Sequence, residues 1–373
     1  MNNRVYKENK DSNLILSVNE LTLLLNELYI DSCNEFKIID GLYGLELLNI
    51  KLDDEIKIDL RSNLDDIKNA YYKVPKEYRR EFPDKLKYFD IFIKSGFYFK
   101  KYQGEFEGVL NEIDNLNILE GDMPIAIAFD TNLYYDQFFS HFSCILKNKY
   151  RNTKYPIYFL LSEGVKKELI TYEDKYKGED IDKFRQFCPY RDIVDEFFNQ
   201  NKFHSRIKHL GHMDFLKCNE GVYSKIIDEE VSINRRDMDS RIIEGLIKEI
   251  HNQNIKLFLF SEDSDFIARA RGNRNLIAKH LERIPLWKLE EKYSCNWEIF
   301  DRFLYILAIT FGAIIIDIQD YPQLIIHGIW RGKKLFDWEK ENVKIITSNP
   351  ILDKIEKDIL ILRKIKLEES FYL

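Results

Sequence analysis

PIAIAFDTN, Pro124–Asn132, decides how the centre of this chain folds. Five apolar residues in a row, Ile125 to Phe129, stop at Asp130. A strand with one face in water would alternate; an unbroken apolar run reads as a strand covered on both faces, as in a parallel sheet. Downstream, the pattern predicts a helical segment over Leu133–Lys147, a strand in YPIYFLL (155–161) and a helix in SEGVKKELITYEDKY (162–176). After a polar stretch come a helix in DSRIIEGLIKEI (239–250) and a strand in IKLFLF (255–260), followed by SEDSDFIARARG (261–272) and NLIAKH (275–280). Strands alternating with helices imply an α/β fold with a mostly parallel sheet.

Polar residues from Asn115 to Met123, punctuated by Gly121 and Pro124, mark a boundary on the upstream side. The expected organisation is therefore an accessory region at 1–121, an α/β domain at 122–283 with a long insertion at about 173–230, and an extension at 284–373. Both flanking regions read as α+β. The first opens with a helical pattern over Leu14–Tyr29, followed by partial alternation in ELLNIKLDDEIKIDL (46–60). The last carries a helix and strand in FDRFLYILAITFGAIIID (300–317), a turn in HGIWRGKKLFDW (327–338) and a charged helix in LDKIEKDILILRKIKLEE (352–369).

Bulk properties exclude several classes. At 45% hydrophobic content the 373 residues can build a real core, so disorder is not the default. A net charge of −7 rules out a uniformly basic coat; contact with a polyanion would need local patches or bound cations. Cys33, Cys144, Cys188, Cys218 and Cys295 form no CxxC pair and fit a reducing, cytoplasmic setting. Met1–Asn13 is polar and reads as no signal peptide. The longest uncharged apolar stretch, Phe303–Ile316, falls short of the roughly 20 residues that span a membrane and is divided by Gly312, so no membrane partner is expected. GxxxxGK[ST] and GxSxG are absent.

Parallel α/β sheets build their sites at the carboxyl ends of strands. Asp130 and Asp263 follow two predicted strands, Glu168 lies in the helix after another, and Asp239 opens the helix before IKLFLF. Each alone has a plain reading, an N-cap for the aspartates and a solvated helix face for Glu168. Their joint order carries the argument. Carboxylates gathered in one pocket raise one another's pKa values, and hard divalent cations relieve the repulsion.

Four segments, in order, resemble the PIN-domain nuclease family: FDTN at 129–132, VKKELI at 165–170, DSRII at 239–243 and SEDSDF at 261–266. The resemblance covers about Pro124 to Leu281. It implies a Mg²⁺- or Mn²⁺-dependent nuclease, an endoribonuclease on single-stranded RNA in preference to DNA. Asp130 and Asp263 would be direct ligands, Glu168 and Asp239 would bind the ion or orient its waters, and Asp265 would support them. Asp237 competes with Asp239 for the third acidic position; Asp239 is preferred because Ile242 then falls three residues on. Thr131, Asn132 and Ser261 would orient carboxylates or contact phosphate; Ser261 stands where the family has Thr. Asn132 departs from the aspartyl-nucleophile phosphatases, which carry Asp there. Two readings compete: a PIN-like RNA-binding or scaffold protein that does not cut, and a structure-specific DNA nuclease. A homo-oligomer is left open.

Two basic patches are candidates for the substrate path. Arg269, Arg271 and Arg274 follow the fourth acid. Residues 73–101 hold nine basic and four acidic residues, Arg79 and Arg80 among the former, with Tyr78, Tyr88 and Tyr102 interleaved or adjacent, as single-strand binding requires. A solvated face with its rings in the core is the plainer alternative. HSRIKHLGH, with His204, His209 and His212 near Cys218, reads as a basic segment before it reads as a metal site. Trp330 and Trp338, beside Arg331, Lys333 and Lys334, read as core packing before a stacking surface.

Overall fold

The computed structural model describes residues 12–149, 157–170, 174–221, 223–227 and 237–370. Strands β1 (Ser12–Ser17), β2 (Glu35–Asp40), β3 (Glu46–Lys51) and β4 (Ile56–Leu60) come first. Five follow: β5 (Ile125–Phe129), β6 (Tyr158–Ser162), β7 (Tyr223–Ile227), β8 (Lys256–Ser261) and β9 (Leu276–His280). The last are β10 (Lys292–Cys295), β11 (Ala313–Asp317), β12 (Leu324–His327) and β13 (Asn342–Thr347). They form a mixed α/β structure with one antiparallel and one parallel sheet, in two compact units.

One unit is built from the described parts of Met1–Ile91, Asp174–His204 and Lys288–Leu373. Its eight strands lie in the order β1-β13-β12-β11-β2-β3-β4-β10, every neighbour antiparallel. The flanking regions that the sequence separates at 1–121 and 284–373 thus share one sheet, because β1 and β2 pair with β13 and β11. The expected helix over Leu14–Tyr29 is a correction: Leu14–Leu16 belong to β1, and the helix runs Val18–Ile30. Ser17 is the reason, since its N–H and hydroxyl both donate to Glu20 Oε2, at 2.9 and 3.0 Å, and start the helix there. The helix Trp297–Phe311 is buried along nearly its whole length and ends at Gly312, whose φ of +79° suits glycine. Trp330 and Trp338 are core residues, with the Lys333 ammonium 4.6 and 4.2 Å from their rings and donating to the carbonyls of Gly328 and Asn342. Among the described residues no helix is long and apolar enough to cross a membrane.

The other unit takes the described parts of Phe92–Glu173 and Ser205–Trp287. Its five strands lie in the order β7-β6-β5-β8-β9, all parallel, flanked by helices. β5 is buried at every position and β8 at all but its first, as their unbroken apolar runs predict. β7 falls within the insertion expected at about 173–230, where the sequence predicts no strand. It lies at the sheet edge with Tyr223 exposed, so it lacks an apolar run. Asp174–His204 of that insertion belongs to the antiparallel unit; 222 and 228–230 lie outside the described residues, as do Tyr155, Pro156 and 171–173 of the predicted strand and helix. The helix predicted over Leu133–Lys147 is two, Thr131–Tyr135 and Phe138–Lys149, broken at Gln137 with φ of +59°. Asp214, fully buried, caps the second by accepting from the N–H groups of Phe139 and Ser140, both at 3.0 Å.

Candidate acidic site

In the parallel unit the chain adds strands outward from β5 to β6 and β7, then returns to add β8 and β9 on the other side. The order therefore reverses between β5 and β8, and their carboxyl ends open the crevice where such sheets bind ligands. Asp130 directly follows β5, and Asp263 follows β8 by two residues. A cleft of about 350 Å³ opens there, lined by Asp130, Glu168, Asp239 and Asp263. Thr131, Asn132, Tyr135, Lys208 and Phe266 complete its wall.

Both aspartates after the strands are N-caps, and both also line the cleft. Asp130 Oδ1 accepts from the Thr131 N–H at 2.7 Å; Asp263 Oδ1 accepts from the N–H groups of Asp265 and Phe266 at 2.8 and 3.2 Å. Two hydroxyls tie the acids together. Ser261 Oγ donates to Asp130 Oδ2 at 2.6 Å and accepts from the Asp263 N–H at 2.9 Å. Thr131 Oγ1 donates to Glu168 Oε2. Burial pushes the Asp130 carboxyl up to about 6; the donors Ser261 and Thr131 pull it down, and the charges of Glu168 and Asp239 add to the rise. Asp239 is also raised, first by burial, with Arg269 opposing and Asp237 and Asp263 adding.

Of Asp237 and Asp239, Asp239 is the one that lines the cleft. The helix Met238–Gln253 begins beside the cleft and descends to the start of β8, so Asp239 in its first turn lines the cleft. Asp237 caps that helix, accepting from the Ser240 N–H at 2.9 Å, and stays exposed. Arg269 lies 3.0 Å from Asp237 and 3.3 Å from Asp239. Asp265 is exposed and not part of the cleft wall.

The remaining basic candidates are placed elsewhere. Arg271 and Arg274 follow the helix Ser264–Ala270, before β9. Leu276 pairs with Leu257 near the start of β8, so these arginines stand toward the opposite end of the sheet from Asp263. Arg79 and Arg80 belong to the antiparallel unit. Arg79 donates to the carbonyls of Tyr72 and Val74 and lies over the Tyr72 ring; Arg80 pairs with Glu81 at 3.2 Å. Tyr88 and Tyr102 are buried, and Tyr78 packs on Phe184 and Phe187. The interleaved rings at 73–101 are thus largely packing residues.

Lys208 and Tyr135 are cleft residues absent from the sequence reading. Lys208 lies within HSRIKHLGH, where the histidines draw attention first. Among the described residues no three His, Cys, Asp or Glu groups are poised as they stand to hold a metal ion, the histidines of that segment included. No protein-family model, curated protein or solved structure matches the chain.

Proposed function

We propose that the cleft at the ends of β5 and β8 hydrolyses phosphodiester bonds with the help of Mg²⁺ or Mn²⁺, in the manner of PIN-like nucleases, with single-stranded RNA as the preferred substrate. One observation carries the reading: four carboxylates from four separate elements line one cleft at the point where the strand order reverses. The RNA preference rests on the resemblance of the four motifs.

The donor set suits a hard cation. All four candidate ligands are carboxylates, and Asp130 bears a burial and repulsion cost that a cation would relieve. Mg²⁺ and Mn²⁺ keep several of their waters, so a few carboxylates are enough to hold them. Such an ion, when bound, activates water and neutralises charge on the phosphate. Asp130 and Asp263 would hold it, and Glu168 and Asp239 would orient its waters. The Ser261 and Thr131 hydroxyls fix the rotamers of Asp130 and Glu168, so that little reorganisation accompanies binding.

The open spacing of the acids favours a second reading, a module that binds RNA without cutting. Incubating the full chain with labelled single- and double-stranded RNA and DNA, in Mn²⁺, Mg²⁺ or EDTA, separates the two. The nuclease reading expects metal-dependent cleavage that Asp130→Asn abolishes; cleavage undiminished in EDTA or in Asp130→Asn overturns it. Binding without cleavage supports the second reading.

A further inference from the structure

Among the described residues, Lys208 is the only cation in the wall of the acidic cleft. Among the described residues its ammonium group makes no hydrogen bond or ion pair. That is unusual beside four carboxylates, since the nearby Arg269 reaches Asp237 and Asp239 within 3.3 Å. An ammonium group has three donors to satisfy, and none of them reaches a described residue.

Its backbone is fixed by three anchors. Gly211, one turn further along the helix Phe203–Gly221, packs against the elements bearing the acids: a Cβ there would stand 2.8 Å from Tyr135 Cδ1 and 3.0 Å from Leu169 Cδ2. Gln137 Nε2 donates to the Leu210 carbonyl at 2.6 Å. Asp214 caps the neighbouring helix at Phe139 and Ser140. Residues three apart share a helix face, so Lys208 and Gly211 address the same side, that of Tyr135 and Glu168. The lysine is held at the cleft yet left unpaired by its carboxylates.

We infer that Lys208 is a substrate-binding residue that grips a non-bridging oxygen of the phosphodiester in the cleft. This rests on the nuclease reading above and adds to it the group that holds the substrate's own charge. An anion bearing several acceptor oxygens satisfies the free donors, and a lysine binds phosphate as a point charge. Carboxylates alone would repel such a substrate.

The test uses the full chain with Lys208→Met and Lys208→Arg. Cleavage of a labelled single-stranded RNA in Mn²⁺ gives kcat and KM. Fluorescence anisotropy of the same RNA with Asp130→Asn, with and without Lys208→Met, gives affinity across salt, in Mn²⁺ and in EDTA. Lys208→Met is expected to lower kcat/KM by roughly 100-fold, to flatten the salt slope of binding by roughly 0.7, and to leave the half-saturating Mn²⁺ concentration no higher. Lys208→Arg should restore much of the loss. If the wild type cleaves and Lys208→Met matches it in rate and salt slope, the inference about Lys208 is overturned and the nuclease reading stands. If the wild type binds RNA through Lys208 without cutting, the nuclease reading fails and phosphate binding by Lys208 stands. A chain that neither cuts nor binds overturns both.

Discussion

A single buried hydroxyl, Ser261 Oγ, donates to Asp130 Oδ2 at 2.6 Å while accepting the Asp263 N–H at 2.9 Å. It couples the ends of β5 and β8. Ser261→Ala leaves a carboxylate oxygen without its donor and an amide without its acceptor. The expected stability loss is about 1–3 kcal/mol, measured by denaturant unfolding, together with weaker Mn²⁺ activation of cleavage. Unchanged stability and metal dependence would show that the hydroxyl orients nothing.

Asp130 gives a pH-dependent stability prediction. Its folded pKa of about 6 lies above the ordinary carboxylate value, so the folded state holds the proton more tightly than the unfolded chain. The cost of ionising it is absent below about pH 4, grows as pH rises, and is complete above about pH 6. In metal-free buffer, Asp130→Asn should therefore raise Tm by about 2–4 °C at pH 8 and by nothing at pH 4. A gain that is equal at both pH values would point to packing instead of charge.

Protons and a divalent ion should compete for the same carboxylate. At limiting Mn²⁺, cleavage is expected to rise with pH through about 6, where Asp130 loses its proton. Saturating Mn²⁺ should move that midpoint to lower pH, because metal binding releases the proton. A midpoint that ignores the metal concentration would assign the titration to another group.

Behind the cleft, Lys94 and Asp136 form a buried ion pair at 2.9 Å, and the same ammonium donates to the Tyr135 carbonyl. Both contacts fasten the end of the helix Thr131–Tyr135, which carries Thr131 and Tyr135 into the cleft. Lys94→Met should cost about 3–5 kcal/mol by stranding a buried carboxylate, and Lys94→Met with Asp136→Leu should recover part of it. The check is a double-mutant cycle by urea unfolding; strictly additive losses would dissolve the pair as an energetic unit.

Arg79 offers a contrast with Arg80. Two backbone carbonyls and the Tyr72 ring engage its guanidinium. Arg79→Ala is expected to lower stability by about 1–3 kcal/mol and to leave RNA affinity nearly unchanged, read by thermal melting and anisotropy. Among the described residues the exposed Arg80 pairs with Glu81 beside it, and Arg80→Glu should change neither stability nor RNA affinity appreciably. A large affinity loss in Arg79→Ala at unaltered Tm would return the substrate path to residues 73–101.

The sequence by itself determined the strands that carry the acids. β5 and β8 are buried on both faces, and such a strand has to be written as an unbroken apolar run, which is legible in Ile125–Phe129 and Leu257–Phe260. Asp130, Glu168, Asp239 and Asp263 could be picked out because each stands at a fixed offset from such a run or from a helix start. Only the tertiary structure decided what has no local signature. β7 is an edge strand whose partners supply its order, and the antiparallel sheet joins β1 and β2 to β13 and β11, from the far end of the chain. Asp239 was separated from Asp237 by the direction of one helix, and Lys208 reached the cleft through the packing of Gly211 on Tyr135. Burial patterns are written residue by residue along a strand; pairings and clefts arise from distances between segments, and those depend on the packing of the whole unit.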